Sequence, residues 1–241
     1  MSRARWQRTR RVTGFERFFF VYLRWLLRRS FATVWLRRSA APLPRGGYVA
    51  AANHSSWWDG FVPYVLHRSL DPQHPFGVLM SDAELRRFPF FRWAGAFSID
   101  ASTPRAARAS ILYAGAQAES GAGVWIFPQG VLARGATTGT FTSGFVHAAR
   151  AGKAPIVPVA LYFTMLDKQR AEAFVDVAEA LDAERRDARM LTQTIVEERV
   201  SRIARDIDER SIDTRYRPLL RAAPGIDQRI AAVTAIVRRW C

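Results

Sequence analysis

The sequence predicts an α/β fold: a mixed, mostly parallel sheet flanked by helices, with an N-terminal amphipathic helical motif that anchors to a membrane. Three observations carry this. Between residues 48 and 163, short apolar runs alternate with helical patterns, the rhythm of strands joined by crossover helices. The last third repeats apolar residues at helical spacing. The net charge of +15 is concentrated at one end, with +11 on residues 1–45, +3 on residues 46–160 and +1 on residues 161–241. The chain has 241 residues, 49% of them hydrophobic and 24% charged, which supplies a core and excludes a disordered chain.

The first 45 residues read as a basic arm. From Gly14 to Leu36 they are rich in Phe, Trp and Leu, but Glu16, Arg17, Arg24, Arg28 and Arg29 interrupt the run. The longest uncharged apolar stretch is Phe18–Leu23. A spanning helix needs about 20 apolar residues, and a signal peptide needs an unbroken apolar segment, so neither is expected. Arg10, Arg17, Arg24 and Arg28 fall on one helical stripe, with aromatic and Leu residues elsewhere on the circumference. That pattern suits a helix lying in a membrane interface. The alternative is a helix packed on the domain with a solvated Arg face. Nucleic acid is not an expected partner, because the arm carries more large apolar side chains than phosphate tracking needs.

Pro42, Pro44, Gly46 and Gly47 read as a linker, so the expected units are an arm over 1–45 and an α/β domain over 46–241. Within the domain, strands are expected over Tyr48–Ala52, Phe76–Met80, Phe97–Ile99, Val124–Phe127 and Ile156–Phe163. Helices are expected over Trp57–His67, Asp82–Trp93, Arg105–Glu119 and Phe141–Ala151. The C-terminal third reads as helical. Leu191, Ile195, Val196, Val200, Ile203 and Ile207 form one stripe, and Ile226, Ile230, Val233 and Val237 another. Cys241 is the only cysteine, so neither an internal disulfide nor a cysteine-based zinc site is available, and a reducing compartment is the default.

Sites in such sheets form at the carboxyl ends of strands. Two strand ends carry polar clusters, Ala50–Gly60 and Val124–Gly130. His54 and Asp59 would point apart on a continuous helix, about 140° around the axis. On a strand-to-helix turn they can meet. Ser56 would cap the helix and Asp59 would take the third position of a capping box. Asp59 could then fix one ring nitrogen of His54 and leave the other to accept a proton. The same residues also fit a structural histidine and a plain capping acid. His67, His74 and His147 have no metal-ligand spacing with His54, and no metal is expected. Trp57 and Trp58 fit either an acyl chain and membrane boundary or an ordinary core.

Asn53-His54-x4-Asp59 resembles the N-H-x4-D block of the glycerolipid acyltransferases, typified by lysophosphatidic acid acyltransferase. Further blocks follow in the family's order: Gly95–Asp100, then Phe127-Pro128-Gln129-Gly130 for F-P-E-G, Phe141-x-x-Gly144 for F-K-x-G, and Pro155–Val159 for I-V-P-V. The resemblance covers roughly Tyr48 to Phe163. It implies a membrane-associated acyltransferase on the cytoplasmic face of the cell membrane, peripheral or monotopic. His54 would be the general base and Asp59 its orienting group. Asn53, Phe127, Pro128, Gln129 and Gly130 would line the substrate site, with backbone N–H groups near Gly130 stabilising the oxyanion. No cofactor is implied. Acyl-CoA or acyl carrier protein would be the donor substrate, and membrane lipids and a lipid alcohol the partners.

The departures cluster where the family holds its acceptor's phosphate. The Glu is Gln129, the following Thr and Arg are Val131 and Leu132, the basic residue after the second block is Ala101, and the Lys of F-K-x-G is Thr142. Burying a phosphate monoester without Arg or Lys is costly. The expected acceptor is therefore a lysophospholipid with a larger head group, a glycolipid or another amphiphilic alcohol. The counter-reading is that Arg105 or Arg134 replaces the lost charge. The alternative functions are a lipid-binding scaffold whose site has drifted and, further off, a basic nucleic-acid-binding protein.

Overall fold

A computed structural model describes residues 7–133 and 139–222. Helix α1 (Thr13–Ser30) leads directly into strand β1 (Phe31–Arg37). Then follow β2 (Tyr48–Ala52), α2 (Phe61–Leu70), β3 (Phe76–Ser81), α3 (Asp82–Arg87) and β4 (Ala96–Ile99). After these come α4 (Pro104–Glu119), β5 (Gly123–Ile126), α5 (Gly144–Ala151), β6 (Ile156–Thr164) and β7 (Ala171–Val177). The described chain ends with α6 (Ala188–Asp208), α7 (Ile212–Arg215) and β8 (Tyr216–Arg221).

The strands form one eight-stranded sheet in the order β4-β3-β5-β2-β6-β7-β1-β8. The pairs from β4 to β6 are parallel, as is β1 with β7; β6–β7 and β1–β8 are antiparallel. Strand alternation sends the inner residues to two cores. Tyr48, Ala50 and Ala52 of β2 pack on the side of Phe19, Leu23 and Leu27 from α1 and Val62 and Leu66 from α2. Val49 and Ala51 face Ala114, Phe145 and Val196 from α4, α5 and α6. A parallel sheet covered on both faces is what continuous apolar strands require.

Several expectations need correcting. The division at residue 45 is not a division of the sheet, because β1 lies inside the supposed arm and sits between β7 and β8. Residues 7–12 are also stitched to the opposite edge of the sheet. Gln7 and Ser98 exchange hydrogen bonds, Arg10 and Val12 donate to the carbonyls of Arg92 and Trp93, and the Arg11 guanidinium binds Phe76 O and Gln117. The C-terminal third is not wholly helical. Glu172 and Asp176 disguise β7, and Pro218 and two Arg disguise the edge strand β8. Two expected helices are split. Trp57–Gly60 is a 3-10 turn before α2, and α3 stops ahead of Pro89, where a second 3-10 turn runs to Ala94. Helix α5 begins at Gly144 rather than Phe141. The stripe from Ile226 to Val237 lies outside the described residues.

The acids of the C-terminal third are buried and paired. Asp206 on α6 accepts from Arg37 of β1, from Arg215, and from the Tyr216 hydroxyl at 2.8 Å. Burial pulls its pKa up, but these hydrogen bonds win and hold the carboxyl below its ordinary value. Asp176 on β7 accepts from Arg199, and burial outweighs its cations and pushes its carboxyl up. This network ties β1, β7, β8 and α6 together.

Helix α1 presents three stripes. Phe19, Leu23 and Leu27 are buried against the domain. Arg17, Arg24 and Arg28 face solvent. Phe18, Val21, Tyr22 and Trp25 are also exposed and share a sector about 100° wide. The helix is therefore packed on the domain with a solvated Arg face, and its outer side also carries exposed aromatic residues. Arg10 precedes the helix and is not part of the stripe. No helix among the described residues is long and apolar enough to cross a membrane.

Candidate active site

Strands β2 and β5 are hydrogen-bonded neighbours, so their carboxyl ends bring the His54 and Phe127 segments side by side. The chain after β2 turns sharply instead of entering a helix. Ser56 caps the 3-10 turn by accepting from Trp58 N at 3.2 Å, and Asp59 closes the capping box. A single oxygen, Asp59 Oδ2, accepts from Ser56 N at 2.7 Å, Ser55 N at 2.6 Å and His54 Nδ1 at 2.8 Å. The carboxylate cannot donate, so Nδ1 carries the proton and Nε2 keeps its lone pair. Asp59 is fully buried, while the His54 side chain is 27% exposed. The dyad thus has a sheltered anchor and an accessible base.

The segment after β5 holds His54 from the other side. The Phe127 ring stacks on the imidazole at 4.8 Å. The Gln129 side-chain oxygen accepts from His54 N, and Ala133 N donates to His54 O at 2.8 Å. The Pro128 carbonyl accepts from both Thr142 N and Thr142 Oγ1, at 3.0 and 2.8 Å. These bonds fix both peptide groups of His54 and the turn beneath it.

The expected site residues do not all converge on substrate. Asn53 uses its whole amide on one residue of β6: Nδ2 donates to Leu161 O and Oδ1 accepts from Leu161 N, both at 2.8 Å. It is buried and braces the strand end, so its expected role as a substrate contact is corrected to that of a strut. Gly130 has a φ of +69°, which favours glycine, and its N–H donates to Phe127 O at 3.1 Å. That N–H is therefore committed to the turn and is not a free oxyanion donor. Arg105 is the second residue of α4, which follows β4, and β4 lies three strands from β2 in the sheet. Arg134 lies outside the described residues. The clamp by Ala133 and the strut to Leu161 run through backbone atoms and leave no residue-type signal in the sequence.

The other described histidines divide differently. His67 is buried, donates from Nε2 to His74 O and accepts at Nδ1 from Tyr48, and burial lowers its pKa to about 4. His74 pairs with Asp71 at 2.6 Å. No group of three or more His, Cys, Asp and Glu that could hold a metal ion occurs among the described residues. Trp58 packs on Phe31 at 5.1 Å, whereas Trp57 is 65% exposed beside the dyad.

A buried Asp that fixes a partly exposed His at the end of an inner strand can hold a base in position to take a proton. The family model described as Acyltransferase matches residues 38–162, just over half the chain. The protein belongs to that family and is an acyltransferase. No curated protein matches it. A solved relative in fold is the 1-acyl-sn-glycerophosphate (LPA) acyltransferase PlsC from Thermotoga maritima. It is 19% identical, with a TM-score of 0.59 over 80% of this chain and 79% of that one.

Proposed function

We propose that the protein moves a fatty acyl group from acyl-CoA or acyl carrier protein to a hydroxyl of a membrane lipid alcohol, with His54 as general base. The observation that carries this reading is the dyad itself: Nδ1 is tied to buried Asp59, and 27% of the His54 side chain is exposed. Nε2 takes the acceptor's hydroxyl proton as the oxygen attacks the thioester carbonyl. The tetrahedral intermediate then breaks its C–S bond, and the imidazolium returns the proton to the leaving thiolate. Asp59 stabilises the imidazolium in between. An intact dyad argues against a drifted scaffold.

The acceptor we infer is not a phosphate monoester, the substrate class named for the Thermotoga maritima relative. Ala101, Leu132 and Thr142 offer no cation, and the Thr142 hydroxyl donates to Pro128 O. Val131 and Leu132 are exposed and apolar. Initial rates with lysophosphatidic acid beside a lysophospholipid of phosphodiester head group and a monoacylglycerol test this. We expect lysophosphatidic acid to be the poorest of the three; a clear preference for it refutes the acceptor assignment.

We further propose that the protein reaches lipid through the outer face of α1, as a peripheral or monotopic protein. Ring contacts run unbroken from that face to the site. They pass from Trp25 through Tyr22, Phe18 and Phe15 to Phe90, then Phe91, Phe61 and Trp57, with centroids 4.5–6.4 Å apart. Arg17, Arg24 and Arg28 flank the aromatic face and suit anionic lipid, at about 1 kcal/mol each. Replacing both Phe18 and Trp25 with Ser should weaken binding to anionic vesicles by about tenfold or more without changing the melting temperature. Unchanged vesicle binding would remove α1 from the membrane contact.

A further inference from the structure

The sheet order brings a second set of side chains to the end of the sheet where His54 sits. Strand β6 runs parallel to β2, and β7 returns antiparallel beside it, with Thr164 opposite Glu172. Strand β1 starts level with β7, Phe31 opposite Ala171, and β8 ends there, Arg221 opposite Thr33. The last turn of α1, the turn between β6 and β7, and the end of β8 therefore meet on one ledge. The ledge adjoins the His54 turn through ring contacts: Trp58 packs on Phe31 at 5.1 Å, and Phe31 on Phe163 at 5.8 Å.

Charge is unevenly divided on this ledge. It gathers Arg28 and Arg29 from α1, Lys168 and Arg170 from the β6–β7 turn, and Arg221 from β8. Its acids are Asp167 and Glu172, and Glu172 is buried and taken by Lys168 at 2.7 Å. Arg28, Arg29 and Arg221 are exposed, and among the described residues none of the four arginines forms an ion pair. Arg170 Nη1 donates to the Arg28 carbonyl at 3.1 Å. That bond caps the last turn of α1 and holds two cationic residues together against their repulsion. A surface that serves only solubility intersperses the two signs, whereas a patch of one sign beside a site steers an oppositely charged partner.

We propose that this ledge docks the acidic surface of an acyl carrier protein, a role that rests on the acyl-transfer reading above and names its donor. Cations carried by three segments along an exposed edge suit an extended acidic surface. A carrier protein holds its thioester at the end of a flexible phosphopantetheine arm, so its docking surface lies beside the reacting carbonyl and not on it. From the ledge, the arm would reach His54 past Phe31 and Trp58.

The test uses the full chain, one lipid acceptor and three donors of the same acyl group: acyl carrier protein, coenzyme A and N-acetylcysteamine, whose thioester is uncharged. Arg170→Glu combined with Arg221→Glu reverses two charges outside the dyad and outside the aromatic face of α1. The KM for acyl carrier protein should rise about tenfold or more, with kcat near wild type. Added salt should raise the wild-type KM for that donor and leave the variant's nearly level. Rates with the uncharged thioester, vesicle binding and melting temperature should keep their wild-type values. Arg170→Gln retains a donor for the Arg28 carbonyl and should show a smaller rise. An unchanged KM for acyl carrier protein overturns the assignment, as does a wild type that uses acyl-CoA but no acyl carrier protein. An equal rise for acyl-CoA would put coenzyme A phosphates on the ledge, and weakened vesicle binding with a level KM would put anionic lipid there; either result overturns the protein partner. If wild type transfers from none of the three thioesters, the acyl-transfer reading fails first. If it transfers from the uncharged thioester and the double variant matches it with acyl carrier protein, only the docking ledge fails.

Discussion

Replacing His54 with Ala is expected to reduce kcat for acyl transfer by about 10²–10⁴-fold, the contribution of a positioned general base. The fold should survive, because the His54 ring is partly exposed and the turn is held by main-chain bonds to Asp59, Gln129 and Ala133. Asp59→Asn should cost activity for a different reason. Its amide would retain an acceptor for only part of the load that Oδ2 now carries from two peptide N–H groups and the imidazole. It would also remove the charge that stabilises the imidazolium. Circular dichroism together with the rate separates the two variants. His54→Ala should melt like wild type, and Asp59→Asn should melt earlier. Full activity in His54→Ala would end the general-base account.

The largest expected stability effect lies away from the site. Asp206→Ala should lower the unfolding free energy by about 3–5 kcal/mol, because it leaves buried cationic and hydroxyl groups unpaired. Arg37 and Tyr216 would lose a shared acceptor, and β1 and β8 would lose their tie to α6. The folded Asp206 carboxyl is held below its ordinary value of 3.8. Its contribution is therefore complete above that pH and fades as the pH falls through the lowered value. Urea titration of wild type and variant at neutral pH measures the difference. A change within about 0.5 kcal/mol, the range of ordinary surface substitutions, would mean the network is incidental.

The inner sheet was legible because β2, β3, β5 and β6 are short apolar runs with turn residues at their ends. The outer strands were not. Phe31–Leu36 continues the aromatic content of α1 without a break, so the helix hides β1. Strand β7 carries Glu172 and Asp176 inward, where Glu172 pairs with Lys168 four residues earlier and Asp176 with Arg199 of α6. The dyad was readable because a capping box is local, with Ser56 and Asp59 three residues apart. The clamp on His54 was not readable, because it depends on β2 and β5 being neighbours across more than 70 residues of chain. Asn53 shows the limit of motif reading. Its place in the block is clear from sequence, but its partnership with Leu161, which turns it into a strut, is a tertiary fact.

The central claim is that His54 activates a lipid hydroxyl for direct attack on an acyl thioester. The measurement that meets it most directly follows thiol release and lipid product together, in wild type and His54→Ala, with one acyl thioester and a phosphodiester lysophospholipid on vesicles. The account predicts equal amounts of thiol and acylated lipid from wild type, no acyl group left on the protein when acceptor is withheld, and almost no product from the variant. Equal product from the variant, or an acyl group retained on the protein without acceptor, would contradict it.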